Sequence, residues 1–187
     1  MLLHLLYGNK EKIGAKMILL CYGTRPEWIK IKPLIKAFEG KVPYRVLFTG
    51  QHADISGGWF HDKLKITEGV NRLDSIISSV MNNINFKDVT AVLSMGDTVT
   101  SFAVALTAFN HKVPVIHLEA GLRTYNLNHP YPEEGYRQMT SRITDIHLCP
   151  TTTAKTHLLR DSVGGEIHVV GNTVLDNLVG IESSYGD

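Results

Sequence analysis

Short apolar runs alternate with segments of helical periodicity along most of the chain. Six runs have the length and the apolar content of buried strands. They lie near residues 17–22, 43–49, 89–96, 113–118, 145–149 and 166–170. Between them, apolar residues recur at intervals of three and four, as in Ile31, Leu34, Ile35 and Phe38. Because strands that are apolar throughout need cover on both faces, the pattern predicts a doubly wound, Rossmann-like parallel sheet of the α/β class.

Two stretches depart from this alternation. Residues 51–71 are polar, contain glycine and are weakly periodic, which predicts a long functional or mobile loop. Residues 1–16 precede the first convincing strand, and their apolar opening is short, with no basic stretch before it and no clear cleavage site after it. We therefore expect an N-terminal extension of unassigned function there, and no signal peptide.

Composition limits the classes of function. A chain of 187 residues, 43% of them hydrophobic, has the size of one globular domain with a substantial core. The net charge of +1 does not indicate nucleic acid or an anionic membrane as a partner, and no apolar run approaches the roughly 18 residues that span a bilayer. Cys21 and Cys149 are isolated, which favours buried free thiols and a cytoplasmic location. The nine histidines lack metal-ligand spacing, so no metal is expected.

Candidate chemistry lies in the turns that follow the strands, because an open α/β sheet binds ligands at the carboxyl ends of its strands. In the first turn, Thr24 and Glu27 have the spacing of a capping box. Arg25 is a cation in the first helical turn, where it opposes the helix dipole. A bound anion would resolve that conflict, with free backbone N–H groups and the guanidinium facing it and Lys30 one turn further along. An exposed arginine without a ligand is the alternative.

The second and third turns offer further polar groups. Gln51 and His52 can donate and accept hydrogen bonds, which suits a sugar or a nucleotide, although such pairs also occur in ordinary polar loops. Asp97 follows the run near 89–96 and is either a helix cap or a functional carboxylate. The sequence contains neither a GxGxxG motif nor a Walker-type phosphate loop. Neither a dinucleotide cofactor nor Walker-type nucleotide binding is therefore expected.

The fourth turn is the most acidic. Glu119 follows a buried run directly, and Arg123 could hold an anionic or hydroxylated ligand nearby. Glu133 and Glu134 lie at a predicted helix start, where their alternative role is to stabilise the helix dipole. In a doubly wound sheet, however, Asp97, Glu119 and Glu133 would share one edge. Carboxylates grouped in this way can divide into an acid and a base.

Several motifs occur together in the sequence. They are Gly23-Thr24-Arg25-Pro26-Glu27, Thr49-Gly50-Gln51-His52, Gly96-Asp97-Thr98, the run from His117 to Thr124, Pro132-Glu133-Glu134 with Arg137, and Gly171-Asn172-Thr173-Val174. In this order and approximate spacing, over roughly residues 17–178, the sequence resembles the non-hydrolysing UDP-N-acetylglucosamine 2-epimerases. The resemblance implies one lobe of a two-lobed fold like that of the B-type glycosyltransferases. It also implies interconversion of UDP-N-acetylglucosamine and UDP-N-acetylmannosamine without a redox cofactor.

The resemblance further implies roles for individual residues. Asp97, Glu119 and Glu133 would carry the acid–base chemistry, in which a base removes the proton at C2 while UDP leaves C1. UDP then adds back after C2 has been reprotonated on its opposite face. Substrate contacts are implied for Arg25, Lys30, Gln51, His52, Arg123 and Arg137. Of these, Arg25 and Lys30 would hold the diphosphate.

The sequence departs from the family pattern in two places. A regulatory UDP-sugar near Gln51 is implied for bacterial members, but Ile55 replaces the usual methionine and a Pro-Gly-Gln segment is missing around 68–72, so allosteric control is not expected. The chain also ends soon after the point where the second lobe begins. We expect a Rossmann-like lobe over 17–171 and the start of a connection to a missing C-terminal lobe over 172–187. The full-length form would be a homodimer, and the isolated lobe would have little or no activity. A UDP-sugar-binding lobe of a glycosyltransferase-like or non-catalytic protein is the alternative.

Overall fold

The computed structural model describes residues 16–53 and 55–175, and within them the predicted alternation of strands and helices is confirmed. The strands are β1 (Met17–Tyr22), β2 (Tyr44–Phe48), β3 (Asp62–Lys63), β4 (Val89–Met95), β5 (Val115–Leu118), β6 (Ile146–Cys149) and β7 (Glu166–Val169). The helices are α1 (Arg25–Phe38), α2 (Arg72–Asn83), α3 (Val99–Asn110), α4 (Glu133–Arg142) and α5 (Thr152–Arg160). None of the helices in the described part of the chain is long and apolar enough to cross a membrane.

All strand pairs are parallel, and the sheet has the order β3-β2-β1-β4-β5-β6-β7. The chain therefore builds outward from β1 to β3, crosses back, and continues on the other side of β1 from β4 to β7. This reversal between β1 and β4 creates a crevice at their carboxyl ends, which is where open α/β sheets bind ligands. The doubly wound fold class predicted from the apolar pattern is confirmed.

The core consists of two large apolar layers, one on each face of the sheet, and a third, smaller cluster of Ala120, Cys149, Ala154 and Leu158. Along β1, Ile18, Leu20 and Tyr22 point to the face that α1 covers, and Leu19 and Cys21 point to the face that α2 and α3 cover. This alternation follows from the period of two along a strand. Burial on both faces explains why the strand sequence is apolar throughout.

The two cysteines are buried free thiols, as the sequence predicted. Burial raises the pKa of the Cys149 thiol to about 11 and also raises the pKa of Cys21. Both side chains therefore remain protonated near neutral pH and act as small apolar residues in the core.

The segment 51–71 differs from the predicted continuous loop, because it contains strand β3. Asp62 and Lys63 pair with Leu47 and Phe48 of β2 and form the edge of the sheet. Both strand residues are exposed and polar, so they leave no apolar pattern in the sequence. The ring of Phe60 stacks on Phe48 with 5.5 Å between centroids, which fastens the segment to the sheet. The predicted extension lies outside the described residues except for its last residue, and of 172–187 only residues 172–175 are described.

Candidate functional site

The turns after β4 and β5 bring Asp97 and Glu119 together. Glu119 follows β5 immediately and has φ +64°, a left-handed conformation that non-glycine residues rarely adopt and that marks many functional sites. Gly96 precedes Asp97, and a Cβ atom added to it would lie 3.5 Å from Oε2 of Glu119. The Glu119 carboxylate therefore lies against the backbone that presents Asp97. The helix-cap alternative for Asp97 is excluded, because the N-cap of α3 is Thr98.

Lys30 of α1 reaches across the sheet edge to Glu119. Its ammonium donates to both carboxylate oxygens, with Nζ at 2.8 Å from Oε1 and 2.6 Å from Oε2. The two side chains are 23% and 18% exposed, so solvent reaches the pair but screens it incompletely. Lys30 was predicted to hold a diphosphate, and in the structure its ammonium is hydrogen-bonded to a carboxylate of the site.

Arg137 of α4 holds Asp97. Its Nε lies 2.9 Å and its Nη2 2.6 Å from Oδ2 of Asp97, while Nη1 lies 3.2 Å from Oε2 of Glu134. The planar guanidinium thus joins two carboxylates at fixed angles, which a lysine ammonium would not reproduce. Arg137 was predicted to bind substrate, and in the structure its guanidinium is hydrogen-bonded to Asp97.

The two glutamates that begin α4 have opposite environments. Glu134 is fully buried and accepts hydrogen bonds from the amides of Thr124 and Tyr125 at 3.0 and 3.1 Å. Burial alone would raise the pKa of Glu134, but the hydrogen bonds from Gln138, the two amides and Arg137 outweigh it and lower that pKa. From the sequence, Glu134 was assigned only to the helix dipole; its position three residues before Arg137 was the signal for the ion pair.

Glu133 is half-buried, and its carboxylate forms no hydrogen bond or ion pair with any other described residue. It lies four residues before Arg137, so the two side chains share one face of α4. Because Arg137 binds Asp97, that face is directed toward the same edge of the sheet. Glu133 is therefore the carboxylate of this group that has no protein partner among the described residues.

In the first turn, the predicted capping box is present. It occupies backbone N–H groups that were expected to bind an anion. Oε2 of Glu27 accepts hydrogen bonds from the amides of Gly23 and Thr24 at 2.7 and 2.8 Å. The expectation that the backbone N–H groups here are free is wrong for these two, because a buried side chain of the helix itself already binds them. Arg25 is exposed and forms no ion pair with the described residues, so its guanidinium remains available.

Gln51 and His52 lie beside the first turn. Oε1 of Gln51 accepts a hydrogen bond from the Thr100 hydroxyl at 2.8 Å, and the backbone amide of His52 donates to the carbonyl of Gly23 at 2.8 Å. The side chain of His52 is exposed. Gly23 has no space for a side chain at this contact, since a Cβ would lie 2.2 Å from the Thr100 hydroxyl. The loop is therefore packed tightly against the crevice between β1 and β4.

Arg123 differs from the other predicted substrate contacts, because its side chain is only 1% exposed. Its Nε donates to Asp161 and its Nη2 to the Ser141 hydroxyl, both at 2.8 Å. The guanidinium thus links the turn after β5 to α4 and to the end of α5. The structure does not bring Arg123 into contact with the crevice, since its donors are directed into the protein.

His117 supports the same region from within β5 and was not identified from the sequence. Its Nε2 lies 2.7 Å from the carbonyl oxygen of Gly96. Because a carbonyl only accepts, Nε2 carries the proton in this contact. Burial lowers the pKa of His117 to about 4, so the ring is neutral at physiological pH. The histidine therefore fixes the turn that presents Asp97 without adding charge.

No metal centre is present among the described residues, which contain no group of three or more histidine, cysteine, aspartate or glutamate side chains suited to holding an ion. A small cavity of about 10 Å³ lies beside Lys30 and Glu119 and is also lined by Gly171, Asn172 and Thr173. Such a cavity has room for about one water molecule. The hydroxyl of Thr173 donates to the backbone carbonyl of Lys30 at 2.9 Å, which attaches the end of the described chain to α1.

Comparison with known proteins identifies the family. The family model for UDP-N-acetylglucosamine 2-epimerase matches residues 36–185, most of the chain. The chain belongs to the UDP-N-acetylglucosamine 2-epimerase family. Over 186 residues it is 39% identical to an enzyme of that name from Salmonella borreze, with 90% of this chain and 49% of the relative covered. It is 37% identical over 178 residues to the enzyme of the same name from Campylobacter jejuni, where the shares are 88% and 46%.

Solved structures of this epimerase family have the same fold. The UDP-GlcNAc 2-epimerase from Neisseria meningitidis bound to UDP-GlcNAc superposes with a TM-score of 0.81 at 36% identity, covering 89% of this chain and 50% of that one. The enzyme from Methanocaldococcus jannaschii in complex with UDP-GlcNAc and UDP gives 0.79 at 30% identity, covering 92% and 51%. The chain thus spans about half the length of the epimerases that it matches.

Proposed function

We propose that this chain provides the acid–base groups of a UDP-N-acetylglucosamine 2-epimerase, an isomerase that interconverts UDP-N-acetylglucosamine and UDP-N-acetylmannosamine. The observation that carries the proposal is the group of carboxylates at the crevice. Asp97 and Glu119 lie side by side on neighbouring turns, and each is bonded to a cation from a different helix. Glu133 faces the same edge without a protein partner among the described residues.

Inversion at C2 requires more than one proton-transfer group. The C2–H bond breaks as a base takes the proton, its electrons form the C1–C2 double bond, and the C1–O bond electrons leave with the UDP oxygen. In the reverse addition, a proton must reach C2 on the opposite face before UDP bonds to C1 again. One side chain cannot serve both faces of a bound sugar, so carboxylates on separate turns suit this reaction.

The environments of the carboxylates support an assignment of roles. Glu119 and Asp97 are held by Lys30 and Arg137, which fix their geometry before substrate binds. We assign proton transfer at C2 to Asp97, Glu119 and Glu133. Arg25 is the exposed cation at the crevice, and we assign it to the diphosphate, whose charge grows as the C1–O bond breaks.

The positions of the remaining predicted substrate-binding residues support further assignments. Gln51 and His52 border the crevice and can hydrogen-bond a hydroxyl or an amide of the substrate. We assign Arg123 to holding the turn after β5, because its guanidinium is buried on Asp161 and Ser141. Lys30 retains its place on Glu119, from which its ammonium can also offset diphosphate charge.

A nucleotide sugar needs more enclosing residues than this lobe provides. The relatives are about twice as long as this chain, and the cavity beside Glu119 holds about one water molecule rather than a nucleotide sugar. We infer that a second lobe closes the crevice and contributes the uridine contacts, and that the isolated lobe has little or no turnover. A cytoplasmic location and a homodimer of the full-length form belong to the same proposal.

Deuterium incorporation tests this function. This chain is fused to the half of the Neisseria meningitidis enzyme that it does not cover. The fusion protein is then incubated with UDP-N-acetylglucosamine in D₂O. NMR is expected to show deuterium at C2 together with UDP-N-acetylmannosamine. Glu119→Gln is expected to abolish exchange, whereas Glu68→Gln, at an exposed glutamate paired with Arg72, is not. Binding of substrate without any exchange at C2 by the unsubstituted protein would contradict the proposal and favour a non-catalytic UDP-sugar-binding lobe.

A further inference from the structure

Glu27 is a buried carboxylate that joins two of the turns at the crevice. Its Oε2 accepts hydrogen bonds from the amides of Gly23 and Thr24 and from the Thr24 hydroxyl at 3.0 Å. Its Oε1 lies 2.5 Å from the hydroxyl of Thr98, 71 residues further along the chain. One side chain thus connects the turn that carries Arg25 to the turn that carries the candidate acid–base residue Asp97.

Thr98 transmits this contact to Asp97. It is the next residue in the chain, and its hydroxyl accepts a hydrogen bond from the amide of Ser101 at 3.1 Å as the N-cap of α3. On its other side, the turn is held by Leu118, whose carbonyl accepts from the amide of Gly96 at 3.0 Å. The Glu27–Thr98 hydrogen bond therefore attaches this turn to α1.

We propose that Glu27 is a positioning residue, which places Asp97 relative to Arg25 through Thr98 and exchanges no proton with the substrate. The inference rests on the function proposed above, for which Asp97 is assigned to proton transfer. A displacement of about 1 Å of such a group can reduce a rate on the order of 10²-fold, so a fixed link between the two turns has a direct catalytic consequence.

The geometry separates this role from an acid–base role. Glu27 is buried, both of its oxygens are occupied by protein donors, and it forms no ion pair with the described residues. Burial raises its pKa, and a neutral carboxyl can keep the contact with Thr98 because its O–H can donate to the hydroxyl. The proton in the contact with Thr98 lies on the threonine when Glu27 is ionised and on Oε1 when Glu27 is neutral. The link therefore depends on shape and hydrogen bonds, not on charge.

Four substitutions test the link. Glu27→Ala removes the acceptor of the Glu27–Thr98 hydrogen bond, and Thr98→Val removes its donor. Glu27→Gln restores the link, because the amide oxygen can accept the three donors at Oε2 and the amide nitrogen can donate to Thr98. Thr151→Val is the matched control: Thr151 caps α5 and accepts from the amide of Ala154 at 3.1 Å, as Thr98 accepts from Ser101, but it does not contact Glu27.

The first measurement requires no activity. In the 187-residue chain, solvent exchange of the Arg137 Nε proton is followed by NMR. This proton reports on the position of Asp97, because Nε donates a hydrogen bond to Asp97. Glu27→Ala and Thr98→Val are expected to accelerate this exchange about tenfold, the order of effect expected when one buried hydrogen bond that holds the Asp97 turn is lost. Glu27→Gln and Thr151→Val are expected to remain within about threefold of the unsubstituted chain.

The second measurement is the exchange at C2 in the two-lobed protein. Glu27→Ala and Thr98→Val are expected to lower kcat on the order of 10²-fold with little change in KM, and Glu27→Gln is expected to recover the rate to within about threefold. Loss of kcat in Glu27→Gln with an unchanged Arg137 signal would overturn the proposal in favour of a role for the charge. A Thr98→Val protein that behaves like Thr151→Val would overturn it as well. If the unsubstituted protein never exchanges C2, the proposed function fails, while the Arg137 measurement still decides the role of Glu27.

Discussion

Lys30 and Glu119 lie 89 residues apart in the chain, and one ammonium group spans both oxygens of the glutamate at 2.8 and 2.6 Å. The pair connects α1 to the turn after β5, where Glu119 has φ +64°. The ion pair therefore helps to hold Glu119 in a backbone conformation that L-residues rarely adopt. Since both side chains are mostly shielded from solvent, this pair is expected to contribute more to stability than a surface ion pair.

A double-mutant cycle with Lys30→Met and Glu119→Gln is expected to give a coupling free energy of about 1 kcal/mol, discounted for partial exposure. The free energy of unfolding is measured with urea. The control is the cycle for Arg72 and Glu68, whose side chains are 41% and 64% exposed and whose coupling is expected to be about 0.3 kcal/mol. Equal couplings in the two cycles would show that the Lys30–Glu119 pair is not protected from solvent.

Gly23→Ala is expected to destabilise the protein by about 1–3 kcal/mol through overpacking. The added Cβ would lie 2.2 Å from the Thr100 hydroxyl and 2.5 Å from the Thr49 hydroxyl, which are bonded to each other. Gly135→Ala is the control, because Gly135 lies in α4 and a Cβ there would have no atom within 4 Å. It is expected to stabilise the protein by about 0.5–1 kcal/mol, since alanine favours the helix. Urea midpoints that move in the same direction for both variants would contradict the packing argument.

The buried His117 is expected to make stability depend on pH. The pKa of His117 is about 4 in the folded protein and ordinarily about 6.5, so between these values the unfolded chain binds more protons. Stability therefore decreases as pH falls from about 6.5 to about 4, by about 3 kcal/mol from this residue. His117→Gln keeps an N–H donor for Gly96 and removes the titration, so its stability should decrease less over this range. His147, whose pKa burial also lowers, remains in both proteins and cancels in the difference.

Glu134→Gln is expected to lower the free energy of unfolding at pH 7 by about 2 kcal/mol, because charged hydrogen bonds to two amides, Arg137 and Gln138 are weakened. The folded pKa of Glu134 lies below the ordinary value of 4.5, so its contribution to stability is present above about pH 4.5 and is lost as pH falls through the folded pKa. The difference between the variant and the unsubstituted protein should shrink accordingly in acid. Glu133→Gln, at the neighbouring carboxylate without a protein partner among the described residues, should change stability by less than about 0.5 kcal/mol at pH 7.

The strands and helices that bury an apolar face could be predicted, and those without one could not. The six apolar runs correspond to six strands, five of which bury most of their residues, whereas β7 is partly exposed and packs Ile167 against a small cluster. Strand β3 was missed, since Asp62 and Lys63 are polar, lie exposed on the edge and leave no apolar pattern in the sequence. The capping box of Thr24 and Glu27 was found because capping depends on residues three apart in sequence.

By itself, the sequence determined the α/β class, the turns that carry polar groups and the family that their motifs resemble. These depend on local periodicity and on the order of residues, which the chain carries directly. Only the tertiary structure decided the partners of the charged groups: Lys30 on Glu119, Arg137 on Asp97, and Arg123 directed inward to Asp161. Those contacts join residues 38 to 89 positions apart. They exist because the strand order β1-β4-β5-β6 places distant turns at one edge of the sheet, and no local pattern encodes that order.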